Sequence, residues 1–274
     1  MAFADAIGLQ RGDVLALVGA GGKTTLSLLL GMELLSNGQP VACCATTMTL
    51  LPAPDPRIRV IYASQEDTAQ AVRDALNAGQ LPWVAGDHSS EHDPAPDARS
   101  GVVRPIALTE GKIKGADPSE IDRLHAALPD VTLIVEADGA RHRSLKAPAE
   151  HEPQLPASTT VLSPMAHLGV IGKPLTEEFV HRPECVARIV GAPIGIILTP
   201  EMVAAVLAHR LGGRKGLRAR ARFVPILTLS APDYATLNVM KTCQALLETA
   251  PADRIVVAWL GEKPWTKVMQ GIGA

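Results

Sequence analysis

Short apolar runs of strand length alternate along the chain with segments whose apolar residues recur at helical spacing. The runs predict strands at 14–18, 41–45, 59–63, 83–86, 132–136, 160–163, 194–198, 223–229 and 255–260. The helical spacing predicts helices at 24–36, 64–77, 118–128, 176–190, 200–211 and 232–249, with Asn37-Gly38 stopping the first. Strand and helix in turn are the signature of an α/β protein on a largely parallel sheet. Two stretches interrupt the rhythm. Residues 87–100 are acidic, Pro-containing and poor in large apolar side chains, so they predict an exposed loop. Residues 209–222 carry Arg210, Arg214, Lys215, Arg218, Arg220 and Arg222 without an acid, and predict either a solvated loop or a phosphate- or partner-binding segment. Pro-rich sequence at 148–156 suggests a division between a nucleotide-binding half, 1–150, and a second α/β half, 151–274, continuing the same domain.

Composition narrows the classes of function. The 274 residues include 26 Lys and Arg against 28 Asp and Glu, a formal net charge of -2, so no basic excess points to nucleic acid or an anionic membrane. Aromatic residues make up only 3%, too few for base-stacking platforms. The start lacks a basic segment followed by an apolar one, and no run approaches 18 apolar residues, so the expectation is a soluble cytoplasmic protein without a membrane partner. Cys43, Cys44, Cys185 and Cys243 show no metal or disulfide spacing and predict reduced thiols in the core.

Candidate chemistry begins where the first strand meets the first helix, at Gly19-Ala20-Gly21-Gly22-Lys23-Thr24-Thr25. Glycines let a backbone turn its N–H groups towards an anion, and a helix start adds roughly half a positive charge. A lysine here reaches β and γ phosphates and the threonine hydroxyl holds Mg²⁺. The full phosphate-loop spacing would put its first glycine at Leu17, so this is a shortened form, G-x-x-G-K-T, starting at Gly19. A dinucleotide fingerprint fits less well: its third glycine would fall on Thr24, and 41–54 holds no acid to bind a ribose.

The run TLIVEADGA ends a strand in Glu136 and Asp138, carboxylates placed to hold Mg²⁺ or orient a nucleophile, or simply to form a turn. Thr46 and Thr47 end another strand on the same rim, where their hydroxyls meet a γ phosphate or merely terminate the strand. Arg141, His142, Arg143 and Lys146 follow the acids; Arg141 and Lys146 are candidates for binding an anionic substrate or for neutralising Glu136 and Asp138. His88 and His92 share the acidic loop, without a scaffold that would make them a metal site.

Three blocks together resemble the YqeC family of accessory proteins for selenium-dependent molybdenum hydroxylases: LVGAGGKTTL at 17–26, EADGARHRSLKAPAEHEPQLP at 136–156 and IGKPLTEEFVHRPE at 171–184. The resemblance implies a three-layer, phosphate-loop NTPase-like α/β fold and a cytoplasmic role in selenium or molybdenum cofactor maturation. It carries over Gly19 to Thr24, Glu136, Asp138, Gly139, Lys146, the Gly172-Lys173-Pro174 segment and His181. Where the family often shows an Asn-Lys-x-Asp-like stretch, this chain has VPILTLSAPD, with Thr228, Leu229 and Ser230, so ATP rather than GTP is the expected nucleotide.

The principal reading is thus a Mg²⁺-dependent NTP-binding enzyme or accessory factor that hydrolyses or transfers a phosphoryl group, with Gly19, Ala20, Gly21, Gly22, Lys23, Thr24 and Thr25 on the nucleotide. Thr24, Glu136 and Asp138 lie at the metal, Lys23, Glu136 and Asp138 at the chemistry, and Thr46, Thr47, Arg141, Lys146, Lys173 and His181 form the substrate or phosphate set. Two alternatives share the loop. The loop and the strand-end Thr and Glu also resemble the ATP-binding domain of Mur-type amide ligases, although the chain is short for their full domain set. A slow nucleotide-dependent chaperone or switch docking on a molybdoenzyme is the other, with 210–222 and 87–97 as its surfaces.

Overall fold

A computed structural model describes residues 1–63, 67–86, 108–231, 233 and 236–269, with the side chains of 108–112 excepted. In chain order the elements are α1 (Phe3–Ile7), β1 (Val14–Gly19), α2 (Lys23–Ser36), β2 (Val41–Ala45), β3 (Thr49–Pro52), β4 (Ile58–Tyr62), α3 (Thr68–Asn77) and β5 (Leu81–Ala85). There follow β6 (Leu108–Ile113), α4 (Pro118–Ala127), β7 (Thr132–Glu136), β8 (Leu145–Lys146), β9 (Val161–His167), β10 (Val180–His181), α5 (Pro183–Val190) and α6 (Pro200–Ala208). The last are β11 (Arg222–Phe223), β12 (Ile226–Thr228), α7 (Leu237–Thr249), β13 (Ile255–Trp259) and β14 (Trp265–Met269). The expected acidic loop at 87–100, with His88 and His92, lies outside the described residues.

Among the described residues the main sheet has ten strands in the order β14-β13-β12-β9-β1-β7-β2-β5-β4, with β11 also on β9. All pair in parallel except β14, which is antiparallel to β13. Two-residue periodicity divides the core. On β2, Val41 and Cys43 pack with Leu26, Leu30 and Leu34 of α2, while Ala42 and Cys44 face Ala71, Val72, Ile121 and Leu124 of α3 and α4. On β13, Val256 and Ala258 join the α2 side, while Ile255 and Val257 meet α6 and α7. One helical layer therefore covers each face, the expected three-layer α/β fold with a largely parallel sheet. Gly31 brings α2 close to the sheet, since a Cβ there would sit 2.9 Å from Cys43 Sγ and from Leu81.

Several boundaries differ from the expectations, for identifiable reasons. The strand expected to stop at 163 runs through Pro164 to His167, and the run expected at 223–229 splits at Pro225 into β11 and β12, both on β9. Each proline lacks the N–H that a ladder needs, and the two fall at the same break. The strand expected at 194–198 is only an isolated bridge, Pro174 to Ile197: Gly195 takes φ 90° after Pro193, and Ile194 and Ile197 are 52% exposed. The helix expected over 176–190 begins at Pro183, a residue suited to a first turn, because Val180 and His181 pair instead with Leu145 and Lys146. Cys43, Cys44 and Cys243 are buried free thiols, whereas Cys185 is half-buried. Burial pushes the Cys43 and Cys243 thiols up to about 12, which keeps them inert. Among the described residues no helix is long and apolar enough to cross a membrane.

Candidate functional site

The glycine turn sits at the carboxyl end of β1, in the middle of the sheet, where ligands of open α/β sheets bind. Gly19, Gly21 and Gly22 have φ of 84°, 96° and 105°. The turn also lies directly on neighbouring strand ends: a Cβ on Gly19 would be 2.5 Å from Met165 O, and one on Gly21 2.6 Å from His167 N. The Ala20 N–H donates to Met165 O at 2.9 Å, and the Thr228 hydroxyl donates to Gly21 O at 2.7 Å. Glycine is thus required both by backbone conformation and by close approach. Helices α3, α4, α6 and α7 have side-chain caps from Asp67, Asp117, Thr199 and Thr236, whereas α1, α5 and α2, the last with Gly22 at its N-cap, have none. The first N–H groups of α2, including those of Lys23, Thr24 and Thr25, lie in the turn that has no intrahelical acceptors.

Parallel pairing brings the acids to this turn. Leu17 is level with Glu136 on β7, and Ala45 on β2 is level with it on the other side. The Thr24 hydroxyl donates to Glu136 Oε2 at 3.0 Å. Glu136 Oε1 is buried without a hydrogen-bond partner among the described residues. Burial pushes the Glu136 carboxyl up to about 7, aided by the Asp138 charge and opposed by Lys23, the Thr24 hydroxyl and Thr49. Asp138 is differently committed: Oδ2 accepts from the Gly19 N–H at 2.9 Å and lies 3.1 Å from Lys146 Nζ, while Oδ1 is 3.2 Å from Lys23 Nζ. It latches the loop to the acid strand. Lys23 is buried and also donates to Gly19 O at 2.5 Å.

The other candidates separate. Lys146 is fully buried between Asp138 and Glu152 Oε2, the latter at 2.9 Å, and donates to Gly139 O, so it serves as a counter-charge to Asp138. Thr46 is buried with its hydroxyl on Gln154 O at 2.7 Å and its N–H on Glu136 O, a strand-terminating role. Thr47 is half-buried, and a Cβ on Gly139 would come within 4.0 Å of its hydroxyl. Arg141 is exposed, and His181, on β10, is the register partner of Lys146. Lys173 is exposed with its ammonium 5.6 Å from the Phe179 ring centre, and no contact among the described residues ties it to the glycine turn. Of the basic run, Lys215 donates to Ala149 O and Glu150 O, Arg214 stacks on Phe223, and Arg222 binds Asp13 and Gly8 O. Arg210, Arg218 and Arg220 remain exposed.

Two residues missing from the sequence-based set belong here, Glu152 and Arg182, whose carboxylate and guanidinium pair. They complete a line of alternating charges, Lys23, Asp138, Lys146, Glu152 and Arg182, leading from the glycine turn to β10. Burial alone would raise the Glu152 carboxyl, but Lys146, the Ala149 N–H and Arg182 hold it below its ordinary value.

The family described as "YqeC protein" matches residues 15–184, which span the glycine turn, both strand-end acids and the β8–β10 pair. The chain belongs to the YqeC family. It is 27% identical over 222 residues to the "Uncharacterized protein YqeC" of Escherichia coli (strain K12), covering 78% of this chain and 75% of that protein. No solved structure matches it.

In this YqeC family member the residues fit a hard divalent cation. Thr24 and Glu136 present oxygen donors, with Glu136 Oε1 left open, and Mg²⁺ typically takes one or two protein oxygens and completes its shell with phosphate and water. No cluster of three or more His, Cys, Asp or Glu suited to a metal occurs among the described residues, so an all-protein cage is not what this site provides. A separate cleft of about 860 Å³, lined by Met1, Phe3, Met32, Glu33, Arg57 and Pro264 among others, lies at the far end of α2. The glycine turn does not line it, and the Glu33 carboxylate there already accepts the Phe3 and Ala4 N–H groups at 2.8 Å each.

Proposed function

We propose that this protein is a Mg²⁺-dependent NTP-binding enzyme, with ATP as its nucleotide, that hydrolyses or transfers a phosphoryl group. The observation that carries this reading is the uncapped start of α2, with Lys23 and Thr24 in its first turn and Thr24 hydrogen-bonded to the buried Glu136. In this reading the backbone from Gly19 to Thr25 cradles the phosphates. Lys23 exchanges its contacts with Gly19 O and Asp138 for β and γ phosphate oxygens, neutralising charge as the phosphoryl group leaves. Thr24 and Glu136 hold Mg²⁺, whose bound form supplies further charge neutralisation. Asp138, latched to Gly19 and Lys146, fixes the loop relative to the acid strand. The resemblance of the EADGA and LKAPAEHEP blocks to the YqeC family supports a place in selenium or molybdenum cofactor maturation, serving a molybdenum hydroxylase.

Steady-state release of phosphate from Mg-ATP, with and without a molybdenum hydroxylase, tests the reading. Lys23→Ala should lower turnover by at least a hundredfold while remaining folded, because Asp138 keeps Lys146 and the Gly19 N–H as partners. Turnover by Lys23→Ala equal to that of the parent protein would remove the assignment.

A further inference from the structure

We propose that the two-stranded β8–β10 shelf is a second binding site, for a small molecule bearing an oxyanion group, beside the phosphate loop. The proposal rests on the nucleotide reading for what this ligand would meet, but its geometry is independent of it. Parallel pairing of His181 with Lys146 sets both side chains on one face of the shelf, and strands in such a ladder lie about 4.8 Å apart. Lys146 in turn touches Asp138, and Asp138 touches Lys23. One ladder pairing and two ion pairs therefore connect His181 to the loop lysine.

The charge balance of the shelf points to an anion. The line Lys23, Asp138, Lys146, Glu152, Arg182 has three cations and two carboxylates, and it ends at the shelf on a cation. The charges acting on His181 are those of Lys146, Arg182 and Arg141, opposed only by Glu152, which those first two cations already share. His181 is half-buried. Burial, with the neighbouring cations, keeps it neutral, lowering its pKa to about 4. A neutral imidazole has a donor and an acceptor nitrogen, so beside Arg182 and the exposed Arg141 it adds a directed hydrogen bond to two guanidinium forks suited to an oxyanion.

The backbone singles out the same place. Among the described residues the non-glycine positions with positive φ are Arg141 at 46°, His142 at 58° and Arg182 at 60°. All three flank the shelf, the first two before β8 and the third after β10. Such conformations are disfavoured for these residues and cluster at ligand sites.

Histidine-selective NMR of the full chain in the Lys23→Ala background tests this, because phosphate held by the loop is then removed from the readout. The His181 resonance is assigned by its loss in His181→Asn. Titration with inorganic phosphate, and separately with succinate, should shift it saturably, the tighter of the two telling phosphate from carboxylate. Arg141→Gln, an exposed change, should weaken that binding at least fivefold. No response to either anion, or a response reproduced by sodium chloride at equal ionic strength, would overturn the proposal. A saturable His181 response, alongside a parent protein with Lys23 intact that binds no nucleotide, would retain the shelf while removing the phosphate-loop reading.

Discussion

Replacing Glu136 by Gln isolates one buried ionisation. Glutamine has nearly the same shape and keeps an oxygen for the Thr24 hydroxyl, 3.0 Å away in the parent, but it does not titrate. In the fold the Glu136 carboxyl stands at about 7, against 4.5 for the unperturbed group, with burial as the main cause. An acid raised on folding binds more protons in the native than in the unfolded state between those two values. Its stabilising contribution is complete below about pH 4.5 and is lost as the pH rises through about 7. At about 1.4 kcal/mol per pH unit the native protein should lose roughly 2 to 3 kcal/mol from this group between pH 5 and pH 8. Urea unfolding of parent and Glu136→Gln at half-unit steps reads the effect as the gap between two stability curves. The variant should gain on the parent by that amount across the window. Saturating Mg²⁺ with nucleotide should narrow the gap, because a bound cation favours the ionised carboxylate. Parallel curves from pH 5 to pH 8 would refute the assignment of a proton to Glu136.

Three further changes probe separate parts of the account. Lys146→Met leaves Asp138 and Glu152 buried with one cation fewer, after contacts of 3.1 and 2.9 Å, and should cost about 3 to 5 kcal/mol by urea unfolding; a loss below about 1 kcal/mol would show that the charged line is not coupled. Gly21→Ala places a Cβ 2.6 Å from His167 N at φ 96°, so melting should show a loss of at least about 2 kcal/mol together with weakened nucleotide binding. Asp117→Ala removes a capping box from α4, remote from the loop in sequence, and should cost about 1 kcal/mol while leaving nucleotide binding unchanged.

Local features of the site were legible in the sequence because their signals are local. The strand, glycines, Lys23 and Thr24 occur in one short run, and Glu136 and Asp138 end an apolar strand, so register alone had to bring the two together. The roles of Thr46 and Lys146 were less legible. Each is decided by a distant partner, Gln154 for the first and Glu152 for the second, in a segment with no helical or strand period. Arg182 was missed for the same reason: β8 and β10 are two residues each, too short for a periodic signal. The exposed stretch holding Ile194 and Ile197 shows the converse error, where apolar composition suggested a strand but Pro193 and a left-handed Gly195 kept the backbone irregular.

Nucleotide binding at the glycine turn is the central claim, and the stability of the protein against urea in Mg-ATP measures it most directly. At a hundred times its dissociation constant the nucleotide should add about 2.7 kcal/mol to the parent protein. Lys23→Ala, at the same concentrations, should gain almost nothing. A parent protein that no nucleotide stabilises, at millimolar concentration with Mg²⁺, would contradict the account.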